Sequence, residues 1–133
     1  MSRPYWVLDT GALLAYVQGV AAVGEALVAV ADAEGTVAVP STCLLEAYCL
    51  LDPGEHELLR MLRRNPAVHT VAPALDLVND DEAPTIGSMA RHAGRLGAGH
   101  AAWVALVSQA GVITSRPDQV QAVLGESWEI LEV

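Results

Sequence analysis

Short apolar runs alternate with longer segments of helical periodicity, and this alternation constrains the fold more than any other feature of the chain. Strands are predicted at residues 5–8, 36–39, 67–71, 112–114 and 128–131. Apolar residues at helical spacing fill the intervals, so helices separate the strands. Strands connected in this way pair in parallel, with helices on both faces of the sheet. The sequence therefore predicts an α/β protein of the three-layer α/β/α type with a central parallel sheet, formed by residues 1–133 as a single domain.

The helix boundaries are predicted from capping residues and from helix breakers. The predicted helices cover residues 12–17, 20–31, 41–51, 55–64, 84–92, 100–109 and 117–124. Pro40 is expected to end the second strand, and Ser41 is expected to cap the helix that follows it. The glycine-containing stretch 97–99 is expected to precede the helix that begins at His100.

Composition restricts the classes of function. Hydrophobic residues make up 53% of the 133 residues, so much of the chain must be buried. The formal net charge is -9, with seven arginines and no lysine, which argues against a broad basic surface for nucleic acid. Any RNA binding must then be local or assisted by a metal ion.

No membrane segment or signal peptide is expected. The apolar stretch 11–24 is bounded by Asp9 and Glu25, and it is shorter than the about twenty residues that a membrane span needs. Asp9 would also fall inside the apolar region of a signal peptide. These features predict a cytoplasmic protein.

Acidic and polar side chains follow the predicted strands. Asp9 ends the first strand in VLDTGALLAY, and Glu46 lies in the first turns of the helix in VPSTCLLEAY. Ser41 and the residues Thr114–Arg116 also fall at strand ends. In a parallel sheet the ligand crevice forms at this edge, where the strand order reverses. Carboxylates that converge there repel one another unless a cation neutralises them, which suits Mg²⁺ or Mn²⁺ held by Asp9 and Glu46.

Four segments carry a resemblance to a known family, in chain order: VLDTGALLAY, VPSTCLLEAY, HAAWVAL and GVITSRPDQV. Through them the sequence resembles the PIN domain, in particular the small bacterial ribonucleases of the VapC toxin type. The resemblance implies a Mg²⁺- or Mn²⁺-dependent endoribonuclease that uses three or four acids on structured RNA. Asp9 matches the first acid and Glu46 the second. The third position falls at Ala98 and the fourth at Arg116, so the chain departs from the family pattern at both. Asp118 lies next to the fourth position and is the substitute candidate.

Two functions are compatible with this pattern. One is a metal-dependent endoribonuclease with a depleted acidic site and weak activity. The other is a catalytically inactive PIN-fold protein that acts by binding or regulation. In a related hypothesis, Arg116 pairs with Asp9 or Glu46 and supplies the positive charge in place of a metal ion. The alternative for Arg116 is a solvent-exposed position in the turn before Pro117.

Several other residues are candidates for supporting roles. Thr10 and Thr114 are expected to orient Asp9 by hydrogen bonds or to cap a helix, and Ser115 shares the same strand end as Thr114. His100 is a candidate for contact with a phosphate or an acid, with hydrogen-bonded packing as its alternative.

The remaining expectations concern partners and cysteines. RNA is the expected substrate of an active enzyme, and the resemblance implies a homodimer and an antitoxin protein as partners. Cys43 and Cys49 match no disulfide or zinc pattern, so both are expected to pack as small apolar side chains.

Overall fold

One all-parallel sheet contains all the strands of residues 3–133, the part of the chain that the computed structural model describes. The strands are β1 (Trp6–Leu8), β2 (Val37–Pro40), β3 (Val68–Val71), β4 (Gly111–Thr114) and β5 (Ile130–Glu132). Their order across the sheet is β3-β2-β1-β4-β5, and every neighbouring pair is parallel. The predicted parallel sheet is therefore confirmed.

Helices cover both faces of this sheet. They are α1 (Thr10–Val17), α2 (Ala21–Asp32), α3 (Ser41–Leu50), α4 (His56–Arg64), α5 (Glu82–Ala93), α6 (Leu96–Ser108) and α7 (Pro117–Leu124), and a 3₁₀ turn at Pro53–Glu55 precedes α4. Helices α5, α6 and α7 pack together, and α6 lies across β1, β2 and β4. Because parallel crossovers are right-handed, helices α1 to α4 form the opposite layer. The three-layer α/β/α prediction is correct.

The central strands are apolar except for Thr114, the last residue of β4. Val7 and Leu8 of β1 are fully buried, as are Val112 and Ile113 of β4. A strand covered on both faces reads as a continuous apolar run, which is why these segments lack alternating polar residues.

The strand order reverses at β1. The chain passes from β1 to β2 on one side, and it later returns to place β4 on the other side of β1. A crevice opens at such a switch point, outside the carboxyl ends of the two strands. The residues that follow β1 and β4 therefore lie at the rim of one crevice.

Several predicted element boundaries are wrong. The last strand covers Ile130–Glu132 rather than 128–131, and α5 begins at Glu82 rather than at residue 84. Three further differences concern α1, α6 and α3. Helix α1 begins at Thr10 rather than at residue 12, because Asp9 caps it. Helix α6 begins at Leu96 rather than at His100, so the stretch 97–99 is helical. Pro40 is the last residue of β2 and the cap residue of α3, which makes Ser41 the first helical residue and not the cap.

The helices of residues 3–133 are at most 13 residues long, whereas a membrane span needs about twenty apolar residues. No single helix among them is both long enough and apolar enough to cross a bilayer. Helices α1 and α2 reach the required length and composition only together, across a bend of 103°.

Candidate functional site

Asp9 lies at the crevice, directly after β1, and is almost completely buried. Its carboxylate accepts a hydrogen bond from the backbone N–H of Ala12 at 3.0 Å and thereby caps α1. Burial raises the pKa of Asp9, because the charged form loses its hydration. Contacts with the Thr114 side chain and the Ala12 amide, and the charge of Arg95, act in the opposite direction. Burial is the larger effect, so the pKa of Asp9 lies above its ordinary value.

Glu46 is fixed from two directions. The Thr10 hydroxyl donates a hydrogen bond to Glu46 Oε1 at 2.7 Å, which joins residues 36 positions apart in the chain. The backbone N–H of Gly97 lies 3.4 Å from Glu46 Oε2. Helix α3 therefore presents Glu46 to the amino-terminal turns of both α1 and α6. Because each oxygen of Glu46 accepts one hydrogen bond, each keeps a lone pair for another ligand.

Asp9 and Glu46 both lie near the buried thiol of Cys43. These two residues are called the acid pair. Cys43 is one turn before Glu46 in α3, and its Sγ contacts the carbonyl oxygen of Gly97 at 3.1 Å. Burial raises the pKa of Cys43, and the charges of Asp9 and Glu46 each raise it further. The structure thus brings the two predicted acids together at one edge of the sheet. Cys43 is buried as predicted, whereas Cys49 is exposed.

Within the described part of the chain, no further carboxylate joins the acid pair. Ala98, at the position of the third family acid, is buried in the first turn of α6. Among residues 3–133, no group of three His, Cys, Asp or Glu side chains is arranged to hold a metal ion. The acid pair is therefore the whole carboxylate set of this site in the described chain.

The predicted contact of Arg116 with the acid pair is wrong. Arg116 forms an ion pair with Asp118, with Nε 3.3 Å from Oδ1 and an Nη nitrogen 3.2 Å from Oδ2. Both side chains are exposed, Arg116 at 58% and Asp118 at 68%. The pairing lowers the pKa of Asp118 and raises that of Arg116. Asp118 follows Pro117 in the first turn of α7, so its nearest cation is Arg116 and it does not complete a metal-holding group with Asp9.

For the RNA cleavage and RNA binding that the sequence resemblance implies, we expect Arg116→Ala and Asp118→Asn each to stay within about twofold of the wild type. An exposed ion pair is screened by solvent and contributes little. The cleavage rate and the RNA affinity of both variants are measured beside those of the wild type under the same metal and salt conditions. A tenfold loss of cleavage in Asp118→Asn would show that Asp118 is part of the site.

Thr114 and Ser115 occupy the end of β4 next to Asp9. The Thr114 side chain lowers the pKa of Asp9, and its Oγ1 accepts a hydrogen bond from the backbone N–H of Arg116 at 2.9 Å. A Cβ atom on Gly11 would collide with Ser115 Oγ, so glycine is required where α1 starts. Thr10 does not orient Asp9 as predicted; its hydroxyl holds Glu46.

His100 is fully buried and lies outside the acid pair. Its Nδ1 is hydrogen-bonded to the Thr42 hydroxyl, and its Nε2 has no hydrogen-bond partner among the described residues. Burial lowers the pKa of His100, while the charge of Glu82 acts in the opposite direction. The structure therefore favours the predicted packing role over contact with an acid of the site.

Two site residues were missed by the sequence analysis. Arg95, the residue before α6, places the positive charge near Asp9 that was expected from Arg116. Gly97 provides the amide that contacts Glu46. The available signal was the segment Gly94-Arg95-Leu96-Gly97, in which a left-handed glycine with φ 96° ends α5 just before an arginine.

The overall fold is similar to that in the crystal structure of PAE2754 from Pyrobaculum aerophilum. The superposition has a TM-score of 0.58 and covers 94% of this chain and 90% of that chain, at 15% sequence identity. A similarity at this level of identity shows a shared fold. No protein-family model matches the sequence, and no curated protein matches it.

Proposed function

We propose that this chain is a PIN-like, metal-dependent endoribonuclease of low activity that works with a single Mg²⁺ or Mn²⁺ ion. The observation that carries the proposal is the acid pair, which the fold assembles at the switch point of a parallel sheet from two distant segments. The sequence segments that resemble VapC-type ribonucleases contain both of these acids. A buried carboxylate with a raised pKa is also a common mark of a functional site.

The acid pair fits one hydrated divalent cation and does not fit two. Carboxylate oxygens are the ligands that Mg²⁺ prefers, and Mg²⁺ is often held by one or two carboxylates together with water and substrate phosphate. Asp9 has a buried negative charge without enough compensation, and Glu46 has free lone pairs on both oxygens. Two ions need shared ligands that two carboxylates do not supply. When bound, the ion neutralises phosphate charge and activates water.

The protein's own groups prepare this site. The Ala12 amide fixes Asp9 at the start of α1, and Thr10 with Gly97 fixes Glu46, so both carboxylates are oriented before substrate arrives. Burial of Asp9 excludes water from one side of the pair and strengthens any charge interaction there. With so few ligands, affinity for the ion depends on RNA phosphate, which accounts for the low activity proposed here.

A second candidate function is RNA or protein binding without catalysis. It is favoured by the uncharged residue Ala98 at the third acid position and by the single cation, Arg95, whose charge acts on Asp9. The cleavage experiment separates these two functions, because a binding protein would retain RNA without producing fragments.

The test is cleavage of a labelled, structured RNA by wild type and by Glu46→Gln, with Mn²⁺, with Mg²⁺ and with EDTA. We expect slow cleavage by the wild type that EDTA abolishes and that Glu46→Gln reduces by about tenfold or more, because the amide loses the charge that attracts the ion. Glu57→Gln is the matched control, since Glu57 is exposed on α4 and pairs with Arg60.

Two results would contradict the nuclease function. Equal cleavage by wild type and Glu46→Gln would indicate a contaminating nuclease. RNA binding without fragments under every metal condition would leave the binding function in its place. Cytoplasmic location is part of the proposal, because RNA substrates are present there, while the homodimer and the antitoxin stay predictions.

A further inference from the structure

Arg95 is held at the mouth of the site without an acidic partner of its own. It lies between the left-handed Gly94, which ends α5, and the first residue of α6. Its charge lowers the pKa of Asp9, yet among residues 3–133 no carboxylate lies within ion-pair distance of its guanidinium. Arg60, Arg64 and Arg116 each form an ion pair with an acid on the surface, whereas Arg3, Arg63 and Arg91, like Arg95, form none within the described chain.

The Nε atom of Arg95 is buried and has no hydrogen-bond partner within the described chain. A buried N–H of a charged group that lacks a partner is costly, and it is stabilised when a ligand supplies an acceptor. Guanidinium groups match phosphate oxygens through two parallel hydrogen bonds. A guanidinium that no acid engages is therefore suited to an anionic, oxygen-rich ligand.

A cleft next to Arg95 has room for such a ligand. The cleft measures about 350 Å³ and is lined by Glu46, Cys49, Leu50 and Arg95, and it is named the Arg95 cleft. It contains Glu46 of the acid pair, so a strand that reaches the acid pair passes Arg95. Leu50 is exposed and supplies an apolar surface on which a base can rest.

We propose that Arg95 is a substrate-positioning residue that binds a phosphate of the RNA strand in the Arg95 cleft, beside the phosphate that meets the acid pair. This inference rests on the proposed RNA substrate. It accounts for RNA recognition by a chain of net charge -9, because one local cation is placed where the strand enters. The competing role for Arg95 is only that of a counter-charge to Asp9.

The test is RNA binding in EDTA in the Asp9→Asn background, in which cleavage is disabled. Asparagine caps helices as well as aspartate does, so α1 is retained, and the charge that attracts Arg95 is removed. Anisotropy of a labelled RNA is measured as salt is varied. Adding Arg95→Ala is expected to weaken binding about tenfold and to reduce the salt dependence by about one phosphate contact. Arg95→Lys should keep the salt dependence and lose part of the affinity.

The matched control is Arg91→Ala, an exposed arginine one turn earlier in α5. It is expected to bind RNA as the Asp9→Asn protein does. Circular dichroism of each variant checks the fold, and Arg95→Lys keeps the test valid if Arg95→Ala unfolds.

A second measurement locates the RNA. Cys49 is exposed in the Arg95 cleft and Cys43 is buried, so a thiol reagent should modify Cys49 alone. RNA is expected to slow this modification in the Asp9→Asn protein and not after Arg95→Ala is added. Equal affinity and salt dependence with and without Arg95, or no RNA binding by the Asp9→Asn protein, would overturn the inference.

Failure of this inference is distinguishable from failure of the proposed function. Metal-dependent cleavage by wild type together with unchanged binding in Arg95→Ala would remove only the Arg95 role. Weaker binding in Arg95→Ala together with no cleavage under any metal condition would remove only the nuclease.

Discussion

Replacing Gly97 by alanine is expected to remove the proposed RNA cleavage while the fold is retained. A Cβ atom at this position would lie 2.8 Å from Glu46 Cδ and 3.0 Å from Thr10 Oγ1, and still closer to Glu46 Oε1. Glu46 must then move, which breaks its hydrogen bonds to Thr10 and to the Gly97 amide. We expect cleavage to fall by at least about tenfold, because displaced catalytic groups lose the geometry that the reaction needs.

The stability of Gly97→Ala should stay within about 1 kcal/mol of wild type. Two hydrogen bonds are lost, each contributing about 1 kcal/mol, while alanine in a helix contributes up to about 1 kcal/mol relative to glycine. The measurements are cleavage rate, Mn²⁺ affinity by electron paramagnetic resonance, and denaturant unfolding. Gly87→Ala in α5 is the control, since no atom lies within 4 Å of its added Cβ. Normal Mn²⁺ affinity and cleavage in Gly97→Ala would show that Glu46 has no role in the site.

Asp9→Asn is expected to be more stable than wild type at neutral pH in the absence of metal, and inactive. The Asp9 carboxylate is buried, and its pKa is raised by the loss of hydration. Asparagine keeps the acceptor for the Ala12 amide and avoids the buried charge. The charged form is the less stable one inside the fold, so we expect a gain of about 1 kcal/mol in the free energy of unfolding, the order of magnitude for removing one incompletely paired buried polar group.

The gain should depend on pH in a defined direction. The unfolded chain ionises Asp9 near its ordinary pKa of 3.8, whereas the folded chain holds the proton to higher pH. Between these two pKa values the folded state binds more protons, so wild-type stability falls as pH rises. Asp9→Asn has no carboxyl group at this position, so its stability does not fall with pH for this reason. The difference between the two proteins should be small at about pH 4 and should reach its full value above the folded-state pKa.

Urea unfolding at several pH values in EDTA measures this difference, and Asp32→Asn controls for the change in net charge at an exposed position. Added Mn²⁺ should stabilise the wild type and leave Asp9→Asn unchanged, because a ligand stabilises only the state that binds it. A variant that is less stable than wild type at pH 7, or a difference that does not change with pH, would contradict the role of burial at Asp9.

The strand and helix order was predictable because each central strand is a short apolar run covered on both faces. Asp9 was identified for the same reason, since it is the first polar residue after such a run. The start of α6 was not predictable from local sequence, because glycines at 97 and 99 disfavour a helix. Tertiary contacts override this preference: Gly97 contacts Cys43 and Glu46, and Gly99 packs closely against the backbone of Ala90.

The position of Arg116 illustrates a second limit of the sequence. Its placement at a strand end was correct, but the direction of a long side chain depends on its nearest partner. Asp118, two residues later, is that partner. Arg95 was missed because its place near Asp9 depends on how the α5–α6 pair packs against the sheet.

The site combines residues from the beginning and from the last third of the chain, and this has a consequence for protein synthesis. Asp9, Thr10 and Glu46 leave the ribosome early, whereas Gly97 and Thr114, which hold Glu46 and Asp9 in place, come from the last third of the chain. Strand β4, which completes the pairing of β1, is also made late. A nascent chain that ends before Gly97 therefore contains both carboxylates together with Thr10 and Ala12, but it lacks the Gly97 amide and Thr114, so the site is completed only when translation is nearly finished.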